Sequence, residues 1–359
     1  MLGFTDFEVV VPSGRDAVIL HLADPQMIDA GQCRSPELLG ANQKINWTAD
    51  KAEEQCFGYI RETVEATDPD LIIISGDLVY GRFDDNGSAL KSFADFMGTL
   101  GVPWAPVFGN HDNESRMGVD WQCSVLENAN NCLFKQGCLA GNGNYSVGIV
   151  QGGALKRIFY MLDNNCCTDA SDETRANGHS PLTYKIMPDQ MEWIETTLKA
   201  AREYYPEVKA SFVFHLAFHA VYVAMERYGF KLKEEQEIRI DTHPGRGEGD
   251  FGYIGATPGS TANIDSDGAF FRKIKELGVD SVFVGHEHDK SASVVYEGVR
   301  FQYGQKSSTY DGYNNLLEDG SIVYAYYNAG KPLVGGTAMK MRETDGVIFD
   351  GKIYLCQKR

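Results

Sequence analysis

Short apolar runs alternate with amphipathic stretches along most of the chain. Runs of branched and aromatic residues predict buried β-strands within the segments 17–23, 71–75, 103–112, 157–163, 210–219, 279–289 and 299–304. Apolar side chains at helical spacing predict helices at residues 50–66, 89–101, 189–204 and 269–277. Buried strands with helices between them are typical of the α/β class.

The C-terminal third contains further strand-like runs, "SIVYAYYN" and "GVIFDGKIYLC", which predict a second sheet. The chain shows no internal repeat and no low-complexity linker, so we predict a single domain over residues 1–359. The Gly- and Asp-rich stretch 241–268 has the composition of a long functional loop.

Side chains suited to metal binding follow the predicted strands at five separate places. These residues are Asp24, Asp77, Asn110 with His111, His215, and His286 with His288. In open α/β sheets, ligands bind beyond the carboxyl ends of the strands, so these side chains are expected to converge. Aspartate, asparagine and histidine together suit zinc, manganese or iron, and a shared carboxylate can bridge two such ions.

Each piece also has a purely structural interpretation. Asp77 can be a turn residue after a glycine, and His111 can cap a loop. His286 and His288 alternate along a predicted strand, so they share a side even without a function. His215 and His219 have the spacing of a zinc-protease helix, but Leu216 stands where that motif requires glutamate. His21, inside an apolar strand, is interpreted as a core histidine.

Taken together, the blocks resemble the calcineurin-like metallophosphoesterase superfamily over about residues 17–290. The matching blocks are Asp24, Gly76-Asp77, Gly109-Asn110-His111-Asp112, His215 and Gly285-His286-Glu287-His288. The strings "GNHDNES", "GNGNYSVGI", "YMLD" and "DQMEWIETTL" are most similar to its purple-acid-phosphatase-related branch. The resemblance implies a four-layer αββα sandwich, with two mixed β-sheets packed face to face and helices outside.

The resemblance also implies two divalent metal ions, drawn from manganese, iron, zinc and magnesium. The first ion would be held by Asp24, Gln26, Asp77 and His288, and the second by Asp77, Asn110, His215 and His286. His111 would hydrogen-bond the phosphate, beside Asn110, or protonate the leaving oxygen. Asp112 is expected to orient His111 and raise its pKa.

The first block departs from the family pattern, because Gln26 stands where histidine is usual. An amide can coordinate through its carbonyl oxygen, but more weakly than imidazole for zinc-like ions. We therefore expect the first site to prefer a harder ion or to lose its ion readily. Further candidates for substrate contact are Arg82, His219, His243, Arg246, Tyr310, Tyr313 and Asn314.

Charge and cysteine content narrow the partners. The formal net charge of −17 disfavours nucleic-acid and anionic-membrane partners. It does not exclude an anionic substrate, because divalent cations can reverse the local charge, and the resemblance implies a small phosphorylated substrate. The N-terminus lacks the pattern of a secretory signal, and no apolar run is long enough to cross a membrane.

The eight cysteines include the adjacent Cys166-Cys167 and form no CxxC pair, which favours free thiols and a cytoplasmic location. The oligomeric state is left open.

The leading hypothesis is a phosphoesterase in which a metal-bridging hydroxide attacks phosphorus, with phosphomonoesters favoured as substrates. A phosphodiesterase uses the same core and stays open as an alternative. A second alternative, motivated by Gln26, is a catalytically weak or non-catalytic module that binds a metal or a phosphoryl ligand. A phosphoprotein phosphatase is disfavoured because an acidic surface would repel acidic phosphopeptides.

Overall fold

Two mixed β-sheets form the centre of the structure, a computed structural model. It describes residues 2–48, 51–164, 186–228, 241–242, 251–253, 261–310, 314–316, 322–324 and 331–355. The sequence candidates Cys166, Cys167, His243, Arg246, Tyr313 and Cys356 lie outside these ranges, as do the side chain of Asn314 and most of the segment 241–268.

Seventeen strands and seven α-helices lie within the described ranges. The strands are β1 (Phe7–Val11), β2 (Ala17–Leu22), β3 (Leu71–Ile74), β4 (Trp104–Pro106), β5 (Tyr145–Gln151), β6 (Ala154–Met161), β7 (Lys209–Val213), β8 (Asp241–Thr242), β9 (Phe251–Tyr253), β10 (Ser281–Val284), β11 (Ser291–Tyr296), β12 (Val299–Tyr303), β13 (Asn314–Leu316), β14 (Ile322–Tyr324), β15 (Lys331–Pro332), β16 (Gly335–Met341) and β17 (Ile348–Leu355). The helices are α1 (Ala41–Asn46), α2 (Ala52–Thr67), α3 (Ser88–Gly98), α4 (Val119–Glu127), α5 (Pro188–Tyr204), α6 (His219–Tyr228) and α7 (Ala269–Glu276).

The two large sheets both combine parallel and antiparallel pairs. The five-stranded sheet has the order β17-β16-β2-β3-β4, in which β2, β3 and β4 run parallel. The nine-stranded sheet has the order β1-β5-β6-β7-β10-β12-β11-β9-β8, and its centre from β6 to β12 is parallel. A separate three-stranded sheet joins β14, β13 and β15.

Alternate residues of the larger sheet enter two different cores. On β6, Phe159 and Met161 pack into the core that also contains the smaller sheet and helices α2, α3 and α4. Their neighbours Ile158 and Tyr160 pack on the opposite face, with residues of α5, α6 and α7. Because side chains alternate along a strand, one strand serves both layers. The layer order is therefore helix, sheet, sheet, helix, as the resemblance implied.

Most predicted elements are present, and the second sheet predicted from the C-terminal third is confirmed. The hairpin β16–β17 lies at its edge, and β16 pairs antiparallel with β2, so that Thr337 lies opposite His21. The first and last parts of the chain thus complete one sheet. Strands β1 and β5, which pair with each other in parallel, were not predicted from the sequence. The assignment of the whole chain to a single domain stays a prediction.

The described cysteines carry free thiols; they are Cys33, Cys56, Cys123, Cys132 and Cys138. Within the described ranges, every helix is too short or too polar to cross a membrane. The compartment stays a prediction.

Candidate metal centre

The predicted metal ligands follow the carboxyl ends of five strands, two of which belong to the larger sheet. Asp24 and Gln26 follow β2, Asp77 follows β3, and Asn110 with His111 follows β4. From the larger sheet, His215 follows β7, and His286 with His288 follows β10. The site therefore lies where equivalent edges of both sheets meet, as the strand-end pattern predicted.

Two groups of side chains in this region have the spacing of metal sites. Asp24, Asp77 and His288 form what we call the first cluster, and Asp77, His215 and His286 form the second cluster. The possible ligand atoms in each cluster lie within 4.8 Å of one another. Asp77 belongs to both clusters, so its carboxylate is placed to bridge two ions.

The second cluster has a ligand arrangement set by the sheet beneath it. His215 Nδ1 lies 2.8 Å from the backbone oxygen of Ser75, which fixes a proton on Nδ1 and directs Nε2 into the site. That Nε2 lies 3.1 Å from Asn110 Oδ1 and 3.4 Å from Asp77 Oδ2. Three acceptor atoms that face one another repel unless a proton or a metal cation lies between them. These donors therefore fit a divalent metal ion.

The electrostatics of the buried site point the same way. Burial of the ring opposes its charged form, but the Asp77 and Asp24 carboxylates outweigh burial and raise the pKa of His215 to about 9. Burial likewise opposes ionisation of Asp77, yet the His215 and His111 rings hold the pKa of this carboxyl well below its ordinary value. Burial, together with the charge of His215, lowers the pKa of His286 to about 4, so this ring is neutral and can offer a lone pair to a cation that the two carboxylates attract.

Four residues in the region of the ligands have left-handed backbone conformations, which are uncommon for residues other than glycine. The φ angles are +51° at Asp24, +43° at Gln26, +51° at Asp77 and +82° at His286. Such conformations cost free energy and concentrate at functional sites. At His286 the positive φ also ends the strand at Val284, so the predicted alternation of His286 and His288 along a strand is corrected: both residues lie in the loop.

Two glycines of the motifs allow ligands to approach the backbone. A Cβ on Gly76, whose φ is +100°, would lie 2.5 Å from His215 Nδ1. A Cβ on Gly109 would overlap the carboxylate of Asp77. The glycines of the GD and GNHD blocks are thus required by the packing of neighbouring ligands.

Gln26 has a different orientation from the one expected of a metal ligand. Its amide nitrogen lies 3.1 Å from Asp77 Oδ2 and donates to that carboxylate. Its carbonyl oxygen accepts a hydrogen bond from the ammonium group of Lys306, at 3.2 Å. In this structure the group that Gln26 presents to Asp77 is an N–H donor, and coordination of an ion through the amide oxygen stays a prediction. No sequence signal pointed to Lys306, which is 280 residues away.

The carboxylate next to His111 is Glu114, and this corrects the expected role of Asp112. Both Asp112 oxygens accept backbone N–H groups, from Val79 at 3.0 Å and from Gly109 at 2.6 Å. Glu114 Oε2 lies 3.1 Å from His111 Nδ1, without the alignment of a hydrogen bond. Asp112 therefore braces the loop, and Glu114 is the acidic neighbour of the ring. The i,i+3 spacing on the 3₁₀ turn Asp112–Glu114 was the available sequence signal.

Aromatic and cationic side chains surround His111 on one side. The His111 ring stacks on Tyr80, with ring centroids 4.1 Å apart and planes at 27°. The Arg82 guanidinium lies 5.5 Å from the Tyr80 ring centroid and 5.4 Å from the Phe83 ring centroid. Arg82 is largely buried, and its contact with substrate stays a prediction.

The remaining candidate residues lie outside both clusters. His219 begins α6 and places its Nδ1 2.8 Å from the backbone oxygen of Ala262. His21 is fully buried and hydrogen-bonds Ser75, and burial lowers its pKa to about 3, as befits a core histidine. Tyr310 is also buried, packed in the core with the smaller sheet and not on a cleft rim.

Curated relatives of the chain bear the name purple acid phosphatase. One is a protein of Arabidopsis thaliana named "Probable inactive purple acid phosphatase 14", 24% identical over 271 residues, which cover 72% of this chain and 63% of that protein. Another is "Probable inactive purple acid phosphatase 28" of the same species, 37% identical over 269 residues, which cover 68% of this chain and 60% of that protein. The chain thus spans about three fifths of the length of these relatives.

A solved structure of a dimetal phosphatase from Danio rerio aligns with 94% of this chain and 98% of its own, at a TM-score of 0.48 and 11% identity. The family profile for calcineurin-like phosphoesterases matches residues 17–290. That match covers more than half of the chain and includes every ligand position of both clusters. The chain therefore belongs to the calcineurin-like phosphoesterase family.

Proposed function

We propose that the chain hydrolyses phosphomonoesters with the help of two divalent cations, drawn from manganese, iron, zinc and magnesium. The observation that carries this proposal is the shared carboxylate of Asp77, which joins the two ligand clusters beside His111. Asp77 Oδ1 also accepts the backbone N–H of His111 at 2.8 Å, so the ring is positioned relative to the bridging carboxylate.

Each residue type has a defined task in this proposal. When bound, divalent cations stabilise the charge that develops on phosphoryl oxygens and lower the pKa of water. His111 belongs to neither cluster but lies beside the bridging carboxylate, and its side chain is 16% exposed, whereas that of His215 is fully buried. Because His111 Nδ1 faces Glu114, proton donation to the leaving oxygen falls to Nε2.

The preference for monoesters rests on the cationic side chain of Arg82 near His111. Arg82 lies against the Tyr80 ring on which His111 stacks, and a guanidinium suits the doubly charged phosphate of a monoester. A diester carries one charge less and gains less from this side chain. The substrate is therefore proposed to be a small phosphorylated molecule.

A catalytically weak metal-binding protein is the second candidate. Two observations favour it: the amide of Gln26 points its nitrogen toward Asp77, and several relatives carry the words "probable inactive" in their names. A protein of this kind would retain the fold and bind at least one metal ion without turnover.

The two candidates are separated by turnover of a chromogenic phosphomonoester and the matching diester in the presence of Mn²⁺. The proposal predicts faster turnover of the monoester, and losses of roughly 10²–10⁴-fold in kcat for His111→Ala, the range of general acid catalysis. Asp77→Asn should abolish turnover and weaken Mn²⁺ binding. Asp350→Asn, which neutralises an exposed carboxylate on β17, controls for the change in net charge. Metal binding without turnover of either ester would favour the second candidate.

A further inference from the structure

Lys306 is a buried cation beside the first cluster, in the loop that follows β12. The residue is 2% exposed. Its ammonium group donates to the backbone oxygen of Asp24, to Gln26 Oε1 at 3.2 Å and to Ser308 Oγ at 3.4 Å. An ammonium has three N–H donors, so these acceptors fix its position. The loop is itself anchored, because the Ser307 backbone N–H donates to the Ala23 oxygen at 3.0 Å.

The amide of Gln26 lies between two opposite charges. Its oxygen faces the Lys306 ammonium and its nitrogen faces the Asp77 carboxylate. Rotation of the amide by 180° would place its NH₂ group against the ammonium and its oxygen against the carboxylate, and both contacts would be repulsive. Gln26 is completely buried, so no water replaces the lost partners. Lys306 therefore determines which end of the amide faces the metal centre.

We propose that Lys306 makes the two metal sites unequal. It holds Gln26 as a hydrogen-bond donor to Asp77, so the first cluster of Asp24, Asp77 and His288 binds its cation weakly. The second cluster of Asp77, His215 and His286, with Asn110 beside it, binds its cation tightly.

Two physical effects produce this inequality. Asp77 Oδ2 faces both clusters, since it lies 3.4 Å from His215 Nε2 and accepts the Gln26 side-chain N–H at 3.1 Å; at this oxygen Gln26 therefore offers a cation an N–H donor where a ligand would offer a lone pair. The Lys306 ammonium also repels a cation placed against Asp24, whose backbone oxygen it already contacts. In the second cluster, by contrast, the neighbours of Asp77 are Asn110 Oδ1, which offers a lone pair, and His215 Nε2, which offers one in the neutral form of the ring, whereas the Gln26 amide nitrogen offers none.

The test is a titration of the metal-free full chain with Mn²⁺. Binding is measured by calorimetry and by the shift of the unfolding temperature that Mn²⁺ produces. The wild type should bind one equivalent tightly and a second at least about tenfold more weakly, a ratio within reach of one like charge at short range. Lys306→Met should tighten the weak site by a similar factor and leave the tight site unchanged. The same variant should lower the unfolding temperature of the metal-free protein while enlarging the shift produced by Mn²⁺.

Two further variants keep the result decisive. Lys340→Met removes one positive charge from an exposed position on β16, and it should change neither site. Gln26→Glu retains the partner of Lys306 but presents an oxygen to the first cluster, and it should tighten the weak site even if Lys306→Met fails to fold. Equal affinities of the two sites in the wild type would overturn the proposal. Unchanged binding in Gln26→Glu, or equal effects of Lys306→Met and Lys340→Met, would do the same. None of these readouts requires turnover.

Discussion

Gly76 is a position at which even a methyl group is expected to disturb the metal centre. Replacement by alanine adds one carbon atom, 2.5 Å from His215 Nδ1, on a residue whose φ is +100°. The backbone cannot absorb this overlap, because the adjacent Ser75 oxygen is the partner of the same Nδ1. The ring must therefore move away from Ser75 and out of the second cluster.

The loss of stability in Gly76→Ala has two parts, which a control variant separates. Holding alanine in a left-handed conformation costs about 1–2 kcal/mol. Gly14 has a similar φ of +92°, and no atom lies within 4 Å of the position that its Cβ would take, so Gly14→Ala carries this cost alone. Gly76→Ala additionally loses the His215–Ser75 hydrogen bond, worth about 1 kcal/mol. Loss of such an orienting partner typically weakens metal binding by roughly 10–100-fold.

Both variants should be measured by chemical denaturation without metal and by Mn²⁺ titration. We expect Gly76→Ala to be the less stable of the two, and to be the only one of the pair with weakened binding at the tight site. If Gly76→Ala bound Mn²⁺ as the wild type does and lost no more stability than Gly14→Ala, the packing of His215 against Gly76 would not be what positions this ligand.

Three other predictions concern separate parts of the molecule. Glu114→Gln should lower kcat roughly tenfold with little change in KM, as expected for a carboxylate that stabilises positive charge on His111, and an unchanged pH–rate profile would contradict this. Burial raises the pKa of Asp84 to about 6, so the folded state binds this proton more tightly than the unfolded state does. The free energy of unfolding should therefore rise by up to about 3 kcal/mol as pH falls through 6 toward 4. In urea unfolding, Asp84→Asn should lack that rise. Arg157→Ala leaves buried polar partners unpaired and should lower the free energy of unfolding by about 3–5 kcal/mol. Arg15→Ala removes a more exposed ion pair and should lower it by less than about 1 kcal/mol. Equal losses of stability in denaturant would refute the difference.

The strand-end pattern was sufficient to predict which side chains the fold brings together. Asp77, His215 and His286 lie far apart in the chain, yet each follows an apolar run, and the parallel strands deliver them to one edge. The prediction succeeds because strand direction and burial are encoded locally. It requires no knowledge of which strands are neighbours.

Contacts between segments that are distant in the chain could not be predicted in the same way, because they depend on which strands pair. The pairing of β16 with β2 brings together residues 338 and 20, and the sequence offers no local sign of it. Lys306 reaches Gln26 for the same reason, since the loop after β12 crosses to the end of β2. The role given to Asp112 failed at shorter range, because adjacent residues on a 3₁₀ turn point apart whereas residues three apart align.

The left-handed residues at the site connect metal binding with folding. Asp24, Gln26, Asp77 and His286 each hold a conformation that costs roughly 1 kcal/mol or more. Hydrogen bonds between the loops hold these residues in place. The backbone N–H of His286 donates to the Asp24 carboxylate, and the backbone N–H of Gln26 donates to the Asp77 backbone oxygen at 2.8 Å. Both bonds cross from one strand end to another, so they exist only when the strands are assembled. A cation bound between Asp24, Asp77 and the histidines joins the same loops, and its binding free energy therefore adds directly to the stability of the assembled sheets.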